Sequence, residues 1–284
     1  MKYFELIKRL GKLGLQRKIV HYEDIGKAYT KVSDYYENYF LKIMHVHNDK
    51  VLEKLVENSD EDVESILDLA CGTGYNSEQL ARKYKNAYFH LVDISRGMLS
   101  KAREKQIAHA IYYEQDMLSF LHTQPDGRFD MVVCCWAIKY QNPHKIIKEV
   151  HRILKPGGTF GVIVNTKETL PEIRKVYPKL LIKQPKAIKE IMLALPNPKN
   201  KHIFGKWFRS VGFEEIKVVQ GRQIFQFNDM RKLVRWVTHT GALAGFDCMI
   251  DLKDESIQHQ LAIELKKEKI KQITHSFVWG VFRK

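Results

Sequence analysis

Ser65-Ile-Leu-Asp-Leu-Ala-Cys-Gly-Thr-Gly74 is the stretch of sequence that decides the fold. Its mainly apolar first half predicts a short buried strand, and a Gly-x-Gly turn follows that strand directly. The spacing after the turn predicts a helix that begins near Ser77. Such a strand, turn and helix expose backbone N–H groups and a helix N-terminus above the strand end, where a polar ligand can bind.

An acidic side chain follows the next predicted strand, at residues 88–92. Asp93 lies 21 residues after Gly72, close to the spacing at which a carboxylate accepts hydrogen bonds from ribose hydroxyls. A dinucleotide-binding motif would have Gly or Ala where this chain has Ser77. Ser77 therefore departs from the motif of a dinucleotide site. Asp68, which precedes the turn, is also atypical of that motif.

The remaining chain alternates short apolar runs with helical segments, which predicts βαβ units and a parallel sheet. Further strands are predicted at 111–114, 129–134, 159–164, 213–219 and 276–282, and late helices at 230–240 and 257–271. We expect four parts: an N-terminal helical cap (1–60), a cofactor-binding core (61–166), a basic lid insertion (167–209), and a C-terminal part that completes the sheet and adds a helical acceptor element (210–284).

The charge of the chain is concentrated in two segments. The 284 residues carry a formal net charge of +14, of which residues 1–20 contribute +5 and residues 167–209 contribute +8. The first segment predicts a basic amphipathic helix. Its apolar positions are Phe4, Ile7, Leu10 and Leu13. Two interpretations stay open: solvated surfaces, or surfaces that bind an acidic carrier, RNA or anionic lipid.

Composition excludes several classes of protein. With 44% hydrophobic and 28% charged residues, the chain is neither disordered nor fibrous. No apolar run approaches the roughly 20 residues of a membrane span, and no signal peptide is recognisable, so we expect a cytoplasmic protein, with peripheral membrane contact through residues 1–20 as an alternative. The four cysteines lack the spacing of a disulfide framework or a zinc site, and we expect no metal.

Five motifs occur in a characteristic order over about residues 60–165. They read Asp68-Leu-Ala-Cys-Gly-Thr-Gly74, Leu91-Val-Asp-Ile-Ser95, Gln115-Asp116-Met117, Phe129-Asp-Met-Val-Val133 and Leu154-Lys-Pro-Gly-Gly158. In this order they resemble the motifs of class I S-adenosylmethionine-dependent methyltransferases. The resemblance implies an α/β fold with a doubly wound, seven-stranded, mostly parallel sheet of the Rossmann-like methyltransferase type, N-terminal helices and a helical acceptor lid.

The resemblance also implies S-adenosylmethionine as the cofactor and S-adenosylhomocysteine as the product. Asp68 would orient the amino group of the cofactor, Asp93 would bind both ribose hydroxyls, and Asp116 would meet the adenine amino group. Asn76 would either cap the following helix or touch the methionine carboxylate. The other expected cofactor contacts are Ala70, Gly72, Gly74 and Cys135, with apolar walls from Ile94, Met98 and Met117.

The acceptor is expected beyond the fourth strand, where this family turns from cofactor to acceptor. Trp136 and Tyr140 are candidates there, although core packing is an even alternative for Trp136. Arg174, Lys206 and Arg209 are candidates for neutralising an anionic acceptor. The methyl group on a sulfonium is already activated, so alignment can supply about 7 to 11 kcal/mol of the barrier. If a base assists, the candidates are Tyr29, Tyr140, His144 and His239.

Residues beyond 165, including a Gly-rich segment at 240–245, are similar in layout to malonyl-carrier-protein O-methyltransferases and more loosely to quinone-ring methyltransferases. This favours O-methylation of a carboxylate or hydroxyl on a small molecule, free or carrier-bound. The alternatives are C- or N-methylation, for instance of a quinone ring at a membrane surface, RNA methylation, and a non-catalytic binding protein. The absence of a recognisable RNA-binding module makes nucleic acid the weaker alternative, and the intact acidic and glycine positions argue against the last.

Overall fold

The computed structural model describes residues 2–36, 42–239, 243 and 245–284. Its helices are α1 (Lys2–Leu15), α2 (Tyr22–Tyr36), α3 (Lys42–Glu57), α4 (Tyr75–Lys83), α5 (Arg96–Glu104), α6 (Met117–His122), α7 (Pro143–Ile153), α8 (Pro171–Lys183), α9 (Lys201–Arg209), α10 (Met230–His239), α11 (Phe246–Met249) and α12 (Glu255–Lys267). Short 3-10 turns cover Ile138–Tyr140 and Pro185–Ala187.

Seven strands form a single sheet, as the resemblance implies. They are β1 (Ser65–Leu69), β2 (Tyr88–Asp93), β3 (Ala110–Glu114), β4 (Phe129–Cys135), β5 (Leu154–Asn165), β6 (Glu214–Gln226) and β7 (Gln272–Arg283). Their order is β3-β2-β1-β4-β5-β7-β6. Strands β1 to β5 pair in parallel and β7 pairs antiparallel to β5. The order reverses at β1, and this is the crevice where ligands bind in doubly wound sheets.

The described chain divides into two compact units. The sheet unit comprises Lys42–Lys167, Leu195–Gly221 and Ser276–Lys284, and the helical unit comprises Met1–Leu41, Glu168–Ala194 and Arg222–His275. The boundaries differ from the four parts expected from the sequence. Helix α3 groups with the sheet rather than with the first two helices, and α9 also groups with the sheet rather than with the rest of the basic segment.

The core of the sheet unit lies on both faces of β5. On one face a Cβ atom at Gly161 would lie 2.5 Å from Leu55 Cδ1 and 2.8 Å from Val51 Cγ1, so the bare glycine allows α3 to pack directly on the strand. Alternate strand residues point to opposite faces, and Phe160 accordingly packs on Phe208, whose ring stacks 3.7 Å from that of Phe282. This close approach fixes the position of α3 relative to β5.

The helical unit is built mainly on α8. This helix packs against α1 and α12, and the Tyr177 hydroxyl donates a 2.8 Å hydrogen bond to the carbonyl oxygen of Phe246. Lys175 and Lys179 both form ion pairs with Glu268 after α12. Among the helices that the structure describes, none is long and apolar enough to cross a membrane.

The observed elements differ from the predicted ones mainly at their ends. Helix α4 begins at Tyr75, two residues before the predicted start, because Gly74 adopts φ +80° and ends the turn there. Helix α12 ends at Lys267, before the predicted residue 271, because Lys269 turns to φ +53°. Strand β6 continues to Gln226, beyond the predicted residue 219. Of the Gly-rich segment at 240–245, all but Leu243 and Gly245 lie outside the described residues.

Candidate cofactor and acceptor site

The carboxyl ends of β1, β2 and β4 meet at one edge of the sheet, and Asp93 joins two of the loops there. Its Oδ2 accepts a 2.8 Å hydrogen bond from the Gly72 N–H, and its Oδ1 accepts one of 2.8 Å from the Ser95 N–H. Burial raises the pKa of Asp93 to about 6, although the surrounding backbone N–H groups favour the carboxylate. A carboxylate can accept about four hydrogen bonds, so Asp93 retains acceptor capacity for a ligand.

The glycine-rich loop leaves room for a ligand on one side. A Cβ atom at Gly72, where φ is +55°, would meet nothing within 4 Å, whereas one at Gly74 would lie 3.1 Å from Ala102 Cβ. Thr73 Oγ1 is buried and has no hydrogen-bond partner among the described residues. Open space beside Gly72, an unpartnered buried hydroxyl and the Asp93 acceptor fit a polar, ribose-bearing cofactor. At Gly74, where φ is +80°, α5 packs close against the loop through Ala102.

Asp68 lies at the buried end of β1 and binds the start of α4. Its Oδ2 accepts hydrogen bonds from Ser77 Oγ at 2.7 Å and Ser77 N at 3.2 Å. Burial raises the pKa of Asp68 to about 6, although the hydrogen bonds from Ser77 and Asn76 favour its charged form. Asp68 therefore stabilises the first turn of α4, and its Oδ1 also accepts a long, 3.5 Å hydrogen bond from Asn76 Nδ2.

Asn48, which was not identified from the sequence, connects these residues to the end of β4. Its Nδ2 donates to Asn76 Oδ1 at 2.8 Å, and its Oδ1 accepts from Trp136 Nε1 at 2.8 Å. All three side chains are buried. The close packing of α3 on β5 places Asn48 at this position. The available sequence signal was a run of polar residues, His45 and His47 to Asp49, inside an otherwise amphipathic helix.

Trp136 is held in an unusual backbone conformation at the end of β4. Its φ is +67°, which is rare for a bulky residue and concentrates at functional sites. Only 9% of the residue is exposed, and its indole packs edge-on against Phe277 with ring centroids 5.5 Å apart. The Trp136 indole is thus held at the end of β4 by its ring contact with Phe277.

The expected adenine side is formed by β2, α5 and α6. Asp116 Oδ1 accepts hydrogen bonds from Ser119 N at 3.0 Å and Gln141 Nε2 at 2.7 Å. Burial opposes its ionisation, yet these hydrogen bonds hold the pKa of Asp116 below its usual value. Met98 and Met117 are buried, and Ile94 is half-buried. The three side chains follow β2 and β3 at the ligand-binding edge.

Two further expected contacts lie at the ends of the central strands. Ala70, directly after β1, has φ +58° and is half-buried. Cys135 ends β4 and is 8% exposed, and burial raises the pKa of its thiol well above the ordinary value. Both residues are positioned at the ligand-binding edge, and Cys135 is a neutral, apolar neighbour there.

Lys139 is a second residue that the sequence analysis missed. It is 7% exposed, and its Nζ donates to Trp136 O at 2.8 Å and to Asn165 Oδ1 at 2.6 Å. The ammonium also lies 4.8 Å from the ring centroid of Tyr140. Burial lowers the pKa of Lys139 to about 7, and among the described residues it has no ion-pair partner. Lys139 therefore joins the ends of β4 and β5 through these two hydrogen bonds.

Several predicted residues lie away from this edge. His144 is exposed and packs edge-on against Trp207 of α9. Arg209 forms an ion pair with Glu215 at the start of β6, and the neighbouring Glu214 pairs with Arg283. Because Arg283 lies opposite Thr159 at the beginning of the paired part of β5, Arg209 lies at the amino end of the parallel strands. We therefore omit Arg209, and the exposed Lys206 beside it, from the candidate site.

The remaining candidates belong to the helical unit. Tyr29 is half-buried in α2, and Arg174 is exposed on α8. His239 ends α10, where Thr238 Oγ1 lies 2.7 Å from its Nδ1, and burial lowers its pKa. It lines a cavity of about 380 Å³ with residues of α10 and α12.

Comparison with known proteins supports the assignment of the core. Residues 66–158 match the model of a methyltransferase domain family. The biotin biosynthesis bifunctional protein BioHC of Teredinibacter turnerae is 32% identical over 40% of this chain. Malonyl-[acyl-carrier protein] O-methyltransferase 2 of Ilyobacter polytropus is 27% identical over 53%, and the ubiquinone/menaquinone biosynthesis C-methyltransferase UbiE of Hydrogenovibrio crunogenus is 32% identical over 39%. The matches cover only 22%, 57% and 46% of those three proteins.

Solved structures share the fold. The YcgJ protein of Bacillus subtilis has a TM-score of 0.53 at 14% identity, over 83% of this chain and 98% of that protein. The [4+2]-cyclase SpnF has a TM-score of 0.50 at 19% identity, over 83% of this chain and 80% of the cyclase. At such identities the likeness concerns architecture alone. Residues 66–158 therefore match a methyltransferase domain, and they carry the motifs and the sheet order of the class I S-adenosylmethionine-dependent type.

Proposed function

We propose that this protein transfers a methyl group from S-adenosylmethionine to a small-molecule acceptor. The observation that carries the proposal is the buried Asp93 carboxylate, which holds the glycine-rich loop and retains acceptor capacity for ribose hydroxyls. Bound S-adenosylmethionine supplies a methyl group that is already activated by the sulfonium. The residues of the chain then have to bind, orient and exclude water rather than generate a nucleophile on the protein.

Specific residues would perform these tasks. Asp93 would accept the ribose hydroxyls, and the space beside Gly72 together with Thr73 Oγ1 would receive a polar part of the cofactor. The hydrogen-bonded series from Asp68 through Asn76 and Asn48 to Trp136 would keep the loop, α4 and the end of β4 in a fixed arrangement. A rigid arrangement lowers the cost of aligning the two reactants.

A carboxylate or hydroxyl oxygen is the favoured acceptor atom. A carboxylate is ionised at neutral pH and needs no base, which agrees with the location of His144 on the surface beside Trp207. Lys139 supports an anionic acceptor, because its amine lies at the ends of β4 and β5 without a carboxylate partner in the described chain. The similarity to a malonyl-[acyl-carrier protein] O-methyltransferase favours the same acceptor class, free or carrier-bound.

Methylation of a quinone ring is a second candidate. A relative at 32% identity is named as a ubiquinone/menaquinone C-methyltransferase, and the aromatic rings of Trp136 and Tyr140 near the end of β4 would suit a planar, apolar acceptor. The two candidates differ in the charge of the acceptor, which an acceptor panel can distinguish.

The test is release of S-adenosylhomocysteine from S-adenosylmethionine in the presence of defined acceptors. The panel contains malonyl thioesters on carrier protein and on a short thiol, free acyl carboxylates, phenols and demethylated quinones. We expect acceptor-dependent turnover that Asp93→Ala abolishes and that Asp126→Ala, at an exposed carboxylate paired with Arg152, leaves unchanged. Cofactor binding without turnover on any acceptor of this panel, or turnover on RNA alone, would contradict the proposed activity.

A further inference from the structure

Helix α1 uses one apolar face to pack within the helical unit. Leu13 is 2% exposed, and Leu6 and Leu10 are half-buried. The helix packs against α8 and the 3-10 turn that follows it. Arg9 fixes the contact, because its Nε and Nη2 donate to the carbonyl oxygen of Ile188 at 2.8 and 2.5 Å. The helix is thus anchored by one face.

A second, neighbouring face of α1 is apolar and exposed. Its large side chains are Tyr3, Phe4, Ile7 and Leu15, with exposures of 66%, 72%, 64% and 91%. Gly11 and Gly14 complete the stripe, and at about 100° per residue all six positions fall within about 120° of the helix circumference. The sequence pattern predicted one apolar face that contains Phe4, Ile7, Leu10 and Leu13. In the structure, Leu10 and Leu13 belong to the packed face, whereas Phe4 and Ile7 are exposed. We call the exposed set the α1 outer face.

Basic residues lie beside the α1 outer face. Lys8 and Lys12 are exposed and lie one turn apart. At about 100° per residue, they border the edge of the stripe on which Phe4 lies. In the described part of the chain, neither lysine forms an ion pair. Residues 1–20 together carry net +5. The surface therefore combines a contiguous apolar stripe with unneutralised positive charge, a combination that a monomeric soluble surface normally avoids.

We propose that the α1 outer face binds the surface of an anionic lipid bilayer, with the helix axis parallel to the membrane plane. Aromatic and aliphatic side chains would enter the boundary between headgroups and acyl chains, while Lys8 and Lys12 would pair with lipid phosphates. A nucleic acid would attract the lysines but would leave Ile7 and Leu15 in water, since its phosphate backbone offers no apolar surface. A bilayer satisfies both components.

The proposal goes beyond the methyltransferase activity and does not depend on it. Since Leu13 and Arg9 hold α1 against the helical unit, the folded protein already presents the outer face, and binding needs no refolding of the helix. A helix with such modest apolar area needs both apolar insertion and charge for stable binding. Binding should therefore respond to both lipid charge and salt.

Flotation of the full chain with large unilamellar vesicles tests the proposal. One set contains phosphatidylcholine alone, and the other contains about 30% phosphatidylglycerol, a content at which each basic residue near the surface attracts the protein measurably. We expect binding to the anionic vesicles that falls at least tenfold in the variant Phe4→Ser/Ile7→Ser, and that falls similarly in Lys8→Glu/Lys12→Glu. Raising the salt concentration should weaken binding of the unchanged protein.

Matched variants distinguish binding through the α1 outer face from nonspecific binding by other apolar or basic side chains. Leu193→Ser removes another apolar side chain that is 64% exposed, and Lys85→Glu/Lys199→Glu reverses two exposed lysines elsewhere. Both should bind vesicles like the unchanged protein. Circular dichroism melting verifies that each variant is folded. Absent binding to anionic vesicles, equal binding by the Phe4/Ile7 variant, or self-association in sedimentation that this variant abolishes without lipid would overturn the proposal.

Discussion

At the scale of single residues, Asp93 organises the edge of the sheet before any ligand binds. Its two oxygens accept N–H groups from the loop after β1 and from the start of α5, so one side chain sets the separation of two loops. The sequence spacing predicted this carboxylate. It could not predict the direct bond to the Gly72 N–H, because that bond depends on the positive φ of Ala70 and Gly72.

The raised pKa of Asp93 predicts a pH dependence of cofactor affinity. Its carboxylate form accepts hydrogen bonds from hydroxyls, and burial places its pKa near 6. Below that pH the group is increasingly protonated, so we expect the affinity for S-adenosylhomocysteine to fall about tenfold per pH unit. Calorimetric titration between pH 5 and 8 measures it. Asp93→Asn should bind weakly at every pH, and a slope retained in that variant but lost in Asp68→Asn would assign the effect to Asp68 instead.

The lowered pKa of Lys139, a basic group, predicts that the free energy of unfolding depends on pH. Its pKa is about 7 in the folded protein, against 10.5 for an ordinary lysine. Between these values the unfolded chain binds the extra proton, so the free energy of unfolding should rise with pH by about 1.4 kcal/mol per unit from this group. Urea unfolding at pH 7.5 to 9.5 should show a shallower rise for Lys139→Met. The exposed Lys85→Met is the control, and parallel curves for Lys139→Met and the unchanged protein would refute the assignment.

At the scale of elements, the packing of α3 on β5 could not be predicted from the sequence. Its periodicity predicted a helix in the N-terminal cap, but its packing on β5 depends on Gly161, more than 100 residues away. The bond from Trp136 to Asn48 spans 88 residues. Local patterns record propensity and burial, whereas such contacts depend on how distant elements approach each other. The β1-loop-α4 motif was predictable because all of its determinants are local.

The connection made by α3 can be tested with one substitution. Asn48→Ala removes the partners of Trp136 Nε1 and of Asn76 Oδ1, both in buried side chains. We expect a loss of about 1 to 3 kcal/mol in the free energy of unfolding, because buried polar groups lose their hydrogen bonds. Val46→Ala on the same helix alters a side chain that is 48% exposed and should cost less than about 0.5 kcal/mol. Equal losses in the two variants would show that the network adds no stability.

At the scale of the whole molecule, the sequence and the structure agree best on the sheet. The seven strands, their mostly parallel arrangement and the methyltransferase domain at residues 66–158 were predicted from ordered motifs, and these predictions are confirmed. For the acceptor residues the sequence offered mainly charge, and charge alone does not locate a side chain in the fold. Arg209 matched the expected composition of an acceptor lid, yet its ion pair with Glu215 lies at the opposite end of the strands. Lys139 lies at the carboxyl end of β4, within the segment from Trp136 to Tyr140 that we expected to face the acceptor, but only Trp136 and Tyr140 were named as candidates there.

Calorimetric titration of the purified, cofactor-free protein with S-adenosylmethionine and S-adenosylhomocysteine tests the central claim most directly. We predict micromolar binding of both, on the order of −8 kcal/mol, and its loss in Asp93→Ala without loss of folding. Asp126→Ala should bind as the unchanged protein does. Folded, cofactor-free protein that binds neither compound, or an Asp93→Ala variant that binds them unchanged, would contradict the account.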